Sequence, residues 1–224
     1  MTSVPLRIAH RGMPRLAREN TLAAFALALE AGADAIELDV HCSADGLPVV
    51  HHDAVLSDGT PIASLSAEQI ATRTADPANG VPTLAETCRL VGHRAILFVE
   101  IKAPGIEAEV LGVLDDFEGD AAVHSFDHDL VARVHAIDPT RRVGVLLDEG
   151  TTWSPADVIT LMRRTEALDV WPHHSLVTEE LVQAVHSANG RVLAWTVNDG
   201  ALADRLVLDG VDGLCGDDVR LLPH

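Results

Sequence analysis

Five side chains of this sequence could bind and move charge if the fold gathered them: His10, Glu37, Asp39, His52 and Glu100. Glu37 and Asp39 stand two residues apart in the run Ala35–Val40, so on a strand both project to one face. Ile36, Leu38 and Val40 suit a helix layer on the other face, which turns the carboxylates inward. Two anions side by side in an interior are costly without a compensating cation or proton. Glu100, at the end of another apolar run, would make a third. Three converging carboxylates with no thiolate beside them select a hard divalent ion, Mg²⁺ or Ca²⁺. The competing reading is a set of salt bridges to Arg11 and Lys102, or an inward hydrogen-bond network. His10 and His52 form the candidate proton-transfer pair, because imidazole titrates near neutral pH. His51 would alternate to the opposite side. Asp53 either orients His52 or starts the turn. Arg11 and Lys102 are the anion binders; fixed cations and a metal would stabilise the charge that develops when a phosphodiester is displaced. Glu19-Asn20-Thr21 precedes a helix, with Asn20 or Thr21 as its cap, while Glu19 could also reach a ligand.

These residues need elements to hold them. Eight short apolar runs alternate with helical patterns: Leu6–Ala9, Ala35–Val40, Ala95–Ile101, Ala121–Val123, Val143–Leu147, Leu168–Trp171, Val192–Val197 and Val211–Cys215. Ser66 with Gln69 and Thr83 with Glu86 fit capping boxes, and Ser154-Pro155 opens a helix. Thr178 starts another helix, which Gly190 would close; Gly32 and Gly210 fit the same closing role. Strands separated by helices run parallel. The expectation is α/β, a (β/α)8 TIM barrel, with an open doubly wound sheet as the competing architecture. The interval between the second and third runs is too long. It holds a hairpin-like stretch at Leu47–His51 and a Gly/Pro/Ser/Ala-rich segment, read as a small insertion at about 54–80 within a single domain, 1–224.

In such a barrel, chemistry belongs at the C-terminal ends of the strands. His10-Arg11-Gly12, Glu100-Ile101-Lys102 and Trp195-Thr196-Val197-Asn198 all fall there.

Bulk composition narrows the partners. The 224 residues carry 34 acidic and 16 basic side chains, a formal charge of -18, which disfavours nucleic acid and stable association with an anionic membrane. No apolar run is long enough to span a bilayer, and no secretory pattern is present. Three cysteines without metal-type spacing read as thiols in a reducing compartment, so a cytoplasmic location is expected.

The ordered motifs resemble those of the glycerophosphodiester phosphodiesterases. The resemblance rests on His10-Arg11-Gly12, Glu19-Asn20-Thr21, Gly32 through Val40, Asp45-Gly46, His52-Asp53, Pro82-Thr83-Leu84, Glu100-Ile101-Lys102, Ser125-Phe126, Trp195 through Asn198 and Gly210 through Gly213. It spans nearly the whole chain. It implies the barrel with its insertion, a metal at Glu37, Asp39 and Glu100, catalytic histidines at His10 and His52, and phosphate contacts at Arg11 and Lys102. Glu19, Phe126 and Trp195 are further pocket candidates. The implied reaction is metal-dependent hydrolysis of a small-molecule glycerophosphodiester to glycerol 3-phosphate and an alcohol, through a cyclic phosphate, with His10 preferred as base and His52 as acid. The chain departs from the family pattern at Arg18, at Ser57-Asp58-Gly59-Thr60 and at Gly216-Asp217-Asp218-Val219. Two alternatives remain: a lysophospholipase D or phospholipase-type activity on a larger lipid, and a non-catalytic phosphodiester-binding protein. Of the 16 basic residues only Lys102 is a lysine, and it lies two positions after a proposed ligand.

Overall fold

The computed structural model describes residues 4–76 and 80–223. Its strands are β1 (Leu6–His10), β2 (Ala35–Cys42), β3 (Pro48–Val50), β4 (Ile96–Ile101), β5 (Ala121–Ser125), β6 (Arg142–Leu147), β7 (Asp169–Pro172), β8 (Arg191–Ala194) and β9 (Gly213–Gly216). Eight of them form a closed parallel ring in the order β1-β9-β8-β7-β6-β5-β4-β2, and a β1–β2 pairing completes it. This is the (β/α)8 barrel expected from the apolar runs; the open sheet is excluded. The hairpin-like stretch is β3, an antiparallel strand beside β2.

Among the described residues are eight α-helices, of which all but α2 surround the ring: α1 (Leu22–Glu30), α2 (Ala67–Arg73), α3 (Leu84–Val91), α4 (Glu107–Asp115), α5 (His128–Ile137), α6 (Pro155–Thr165), α7 (Glu179–Ser187) and α8 (Gly200–Asp209). Their starts follow local chemistry. Both expected capping boxes form, at Ser66/Gln69 and Thr83/Glu86. Ser154 makes a third with Asp157, ahead of Pro155. At the end of α7 the left-handed residue is Asn189, at φ 60°, and not Gly190. Gly190 instead donates its N–H back to the Val185 carbonyl, and a Cβ there would stand 2.5 Å from Met162 Cε. Its constraint is close packing.

Alternation sorts every strand into two cores. On β4, Leu97, Val99 and Ile101 join the apolar shell beneath the helices, with Ile36, Leu38 and Val40 of β2. Phe98 points into the ring, where Ile8, Leu146, Trp171, Leu193 and Cys215 fill the floor. Phe98 meets Trp171 edge-on at 4.9 Å, a contact worth about 1 kcal/mol beyond burial. Above that floor the inward positions become polar: Glu37 after Ala35, Glu100 after Phe98 and His124 after Ala122.

The segment read as an insertion carries a short 3-10 turn, Ile62–Ser64, and α2; positions 77–79 lie outside the described residues. It has its own small core of Leu56, Ile62, Leu65 and Ile70 with Val49 and Val81.

Candidate active site

β1 delivers His10 at its last residue, and the chain then turns sharply. Arg11 has φ 54° and Gly12 φ 89°. A Cβ on Gly12 would lie 2.7 Å from Ala24 Cβ, so the turn is pressed against α1. Thr21 caps α1, accepting from Ala24 N. Asn20 is released from capping and reaches into the ring: its Nδ2 donates to Asp39 Oδ2 at 2.8 Å, and Asp39 N donates to Asn20 Oδ1 at 3.3 Å.

Parallel register lines up the acidic residues. His10 pairs with Glu37, Asp39 with Glu100, and Glu100 with His124. A cavity of about 180 Å³ opens over them. His10, Arg11, Glu37, His52, Glu100, Lys102, Phe126 and Trp195 line it, so eight of the sequence candidates share one space. The other two stand behind it. Asp39 is fully buried beneath the cations. Glu19 accepts from Arg11 Nη1 at 3.2 Å, outside the lining.

The three carboxylates have different surroundings. Asp39 Oδ2 lies 3.1 Å from Arg11 Nε, and Oδ1 lies 3.4 Å from Lys102 Nζ. Burial works to raise the Asp39 pKa, but Arg11, then Lys102 and the Asn20 amide, hold it below the usual range. Its Oδ1 accepts no hydrogen bond. Glu100 is 2.9 Å from Lys102 Nζ, yet burial, then repulsion from Asp39, pushes its pKa up to about 8. Glu37 accepts the Arg11 backbone N–H at 3.2 Å and faces His124 Nε2 at 3.7 Å. The ring thus holds three carboxylates against two cationic side chains, with Glu100 pressed by the Asp39 charge and Asp39 Oδ1 held only loosely by Lys102 Nζ at 3.4 Å. A divalent ion would relieve both conditions, so the donor set fits a hard cation. Among the described residues, Glu37, Glu100 and His124 can present ligand atoms within 4.8 Å of one another.

The two histidines are held differently. His10 is the deeper, and its Nδ1 lies 2.7 Å from Asp217 Oδ1. Burial lowers its pKa, but the Asp217 hydrogen bond and the Glu37 charge outweigh that and leave it raised. Asp217 is braced in turn by Asn198, whose Nδ2 donates to Oδ2 at 2.6 Å. His52 sits at the rim with its side chain 35% exposed, its Nδ1 2.8 Å from Asp53 Oδ1. Of the two roles left open for Asp53, orientation of His52 is the one this contact displays. Phe126 and Trp195 meet edge-on at 5.5 Å along the wall.

Three roles in this arrangement are not expected from the sequence: Asn20 as a carboxylate partner, His124 and Asp217; Asn198 falls among the expected strand-end residues, and its role on Asp217 is new. Asp217 falls in Gly216-Asp217-Asp218-Val219, where the chain departs from the motif it resembles. The inward alternation of Ala122 and His124 on β5 was the available signal for His124.

The family model described as the glycerophosphoryl diester phosphodiesterase family matches residues 10–221. A glycerophosphodiester phosphodiesterase of Caldanaerobacter subterraneus subsp. tengcongensis is 32% identical, with 97% of this chain and 96% of that protein covered. The solved structure of a glycerophosphodiester phosphodiesterase from Thermotoga maritima superimposes with a TM-score of 0.86 at 26% identity, covering 98% and 97% of the two chains. That of an Oleispira antarctica phosphodiesterase in complex with the product sn-glycerol-3-phosphate superimposes with a TM-score of 0.83 at 27% identity, covering 96% and 93%.

Proposed function

This chain belongs to the glycerophosphoryl diester phosphodiesterase family, and from that premise we propose how its own residues hydrolyse a glycerophosphodiester and which of them do so. The observation that carries the reading is the shared cavity: two histidines, two carboxylates and two cations converge at the C-terminal mouth of one barrel, with Asp39 buried behind the cations. The substrate is a small diester that yields glycerol 3-phosphate, the product held by the Oleispira relative.

Glu37, Asp39 and Glu100 would hold a divalent ion, Mg²⁺ or Ca²⁺. Such an ion, when bound, supplies Lewis-acid stabilisation of the charge gathering on the phosphoryl oxygens. Lys102 and Arg11 lie beside the same carboxylates and add fixed positive charge toward the phosphate. Lys102, a compact ammonium in a confined place, suits a single-oxygen contact.

His10 acts as base. Asp217 on Nδ1 leaves Nε2 free to take the proton of a glycerol hydroxyl and steadies the imidazolium that results. The hydroxyl oxygen attacks phosphorus and the bond to the leaving alcohol breaks, giving a cyclic phosphate. His52, at the rim, gives its proton to the departing oxygen where the alcohol can escape to solvent. Water then opens the ring, with the proton roles reversed. Phe126 and Trp195 wall the leaving-group side, and Glu19 steadies Arg11.

A larger lipid would need an apolar track for its acyl chain. Of the insertion residues that could supply one, Leu56, Ile62, Leu65 and Ile70 are spent on the segment's own core, leaving Val55 exposed. Among the described residues, no helix is long and apolar enough to cross a membrane. All three cysteines are free thiols, which supports a cytoplasmic setting, and residues 1–224 are read as one working domain. The test supplies metal-stripped protein with Mg²⁺ or Ca²⁺ and glycerophosphocholine or a long-chain lysolipid, and follows glycerol 3-phosphate and the cyclic phosphate by ³¹P NMR. Release of glycerol 3-phosphate from the small diester, abolished in His10→Ala and His52→Ala, is expected. No release with either ion would overturn the reading.

A further inference from the structure

His124 is a buried histidine with nothing to do in the mechanism above. It sits beside Glu100 in the β4–β5 register. Its side chain is 2% exposed. Nδ1 is buried without a hydrogen-bond partner. Nε2 stands 3.7 Å from Glu37 Oε1, beyond hydrogen-bond reach, on the wall of the cavity. An imidazole nitrogen this deep normally finds a partner, because leaving it bare costs about 1 to 3 kcal/mol.

The ring is not free to seek one elsewhere. It lies flat against Trp171, with centroids 4.5 Å apart and planes 20° apart, and Phe98 stands beside it at 6.4 Å. Stacking therefore fixes the imidazole plane, the role an outer hydrogen bond usually plays for a metal-binding histidine. One ligand atom from each of Glu37, Glu100 and His124 falls within 4.8 Å of the others, a spread that a single ion about 2.0 to 2.4 Å from each would span.

We propose that His124 supplies a nitrogen ligand to the divalent ion, making this a mixed carboxylate–imidazole centre that favours Mn²⁺ or Co²⁺ over Ca²⁺. Oxygen-only sites suit Mg²⁺ and Ca²⁺, whereas each imidazole added strengthens binding of first-row transition ions and offers little to Ca²⁺. The inference rests on the metal reading given above and adds the ligand that decides between ions. The alternative role, an imidazolium counter-charge to Glu37, would treat all divalent ions alike.

The experiment loads metal-stripped full-length protein with Mn²⁺ and looks for electron spin-echo modulation from a directly bound ¹⁴N. Affinities for Co²⁺ and Ca²⁺ are measured in parallel by calorimetry. The wild-type protein should show the nitrogen coupling, His124→Gln should lose it, and His52→Gln should keep it. Co²⁺ affinity should fall by about 10- to 100-fold in His124→Gln, with Ca²⁺ affinity changed less than about threefold. Absence of the coupling in loaded wild-type protein overturns the inference without needing any variant to fold. So does an equal loss of Co²⁺ and Ca²⁺ affinity in a folded His124→Gln. Failure of the underlying metal reading looks different: the wild-type protein then binds neither ion, or binds as well after Glu37→Gln and Glu100→Gln together.

Discussion

Asp217 Oδ1 grips His10 Nδ1 at 2.7 Å across 207 residues of sequence. Asn198 holds the far side of the same carboxylate, donating through Nδ2 to Oδ2 and accepting the Asp217 N–H at 2.9 Å. The chain is bound at both ends of the Asp217 side chain, so the imidazole it touches has one orientation. The hydrogen bond from His10 also leads the effects that keep Asp217 below the ordinary aspartate pKa.

Asp217→Asn should therefore alter both rate and pH profile. Burial, the largest influence on His10, lowers its pKa; the Asp217 contact and the Glu37 charge raise it. Removing the aspartate charge lets the pKa fall. A base works only when neutral, so the acidic limb of kcat/KM should move to lower pH while the plateau drops by about 10- to 100-fold. Steady-state rates from pH 5 to 9 test this; an unmoved limb would separate Asp217 from His10.

Metal removal should stop turnover, and the carboxylates should then separate by function. Glu37→Gln should raise the metal concentration for half-activity by about 10-fold or more, with KM little changed at saturating metal. Asp39→Asn should also raise KM, because the same carboxylate anchors Arg11 and Lys102. Chelation with single-ion add-back, read as separate metal and substrate titrations, distinguishes the two patterns.

Gly12→Ala should damage stability and activity together. The new Cβ meets Ala24 at 2.7 Å and must hold φ 89°, at a cost of about 2 to 4 kcal/mol. The turn it distorts carries Arg11 and follows His10. Thermal unfolding with parallel kcat measurement checks the coupling.

Asp169→Ala should separate those properties. Asp169 is buried at the opposite end of the ring, accepting from Arg142 Nε at 2.8 Å and Arg191 Nη2 at 2.8 Å. Loss of the shared anion should cost about 2 to 3 kcal/mol, moderated because both arginines keep some solvent. That corresponds to a Tm lower by about 5 to 10 °C, with kcat unchanged below the transition.

Much of this was legible in advance because it depends on local pattern. Apolar runs, capping boxes and the interval after β2 gave the barrel and its extra segment. Strict alternation in Ala35–Val40 turned Glu37 and Asp39 inward before any strand had a neighbour. What escaped depends on juxtaposition. Asn20 looked like a cap because its neighbours are caps; only the approach of β2 shows its amide on Asp39. His124 stood just past the apolar run Ala121–Val123, and its meaning comes from Glu100 on the next strand. Asp217 meets its partner only where β1 and β9 come together. Which cation neutralises which anion is likewise a matter of distance, and spacing along the chain carries no such information.

The β1–β9 seam has a consequence for how competence arises. Pairing β1 with β9 closes almost the whole chain into one loop, so it carries a larger closure cost than the pairings of sequence neighbours. His10 lies on one side of that seam and its support on the other. With the seam open, His10 is without the Asp217 contact that orients it, so the proposed base would stand unoriented. If His10 is the base, turnover should appear only once the β1–β9 seam is closed.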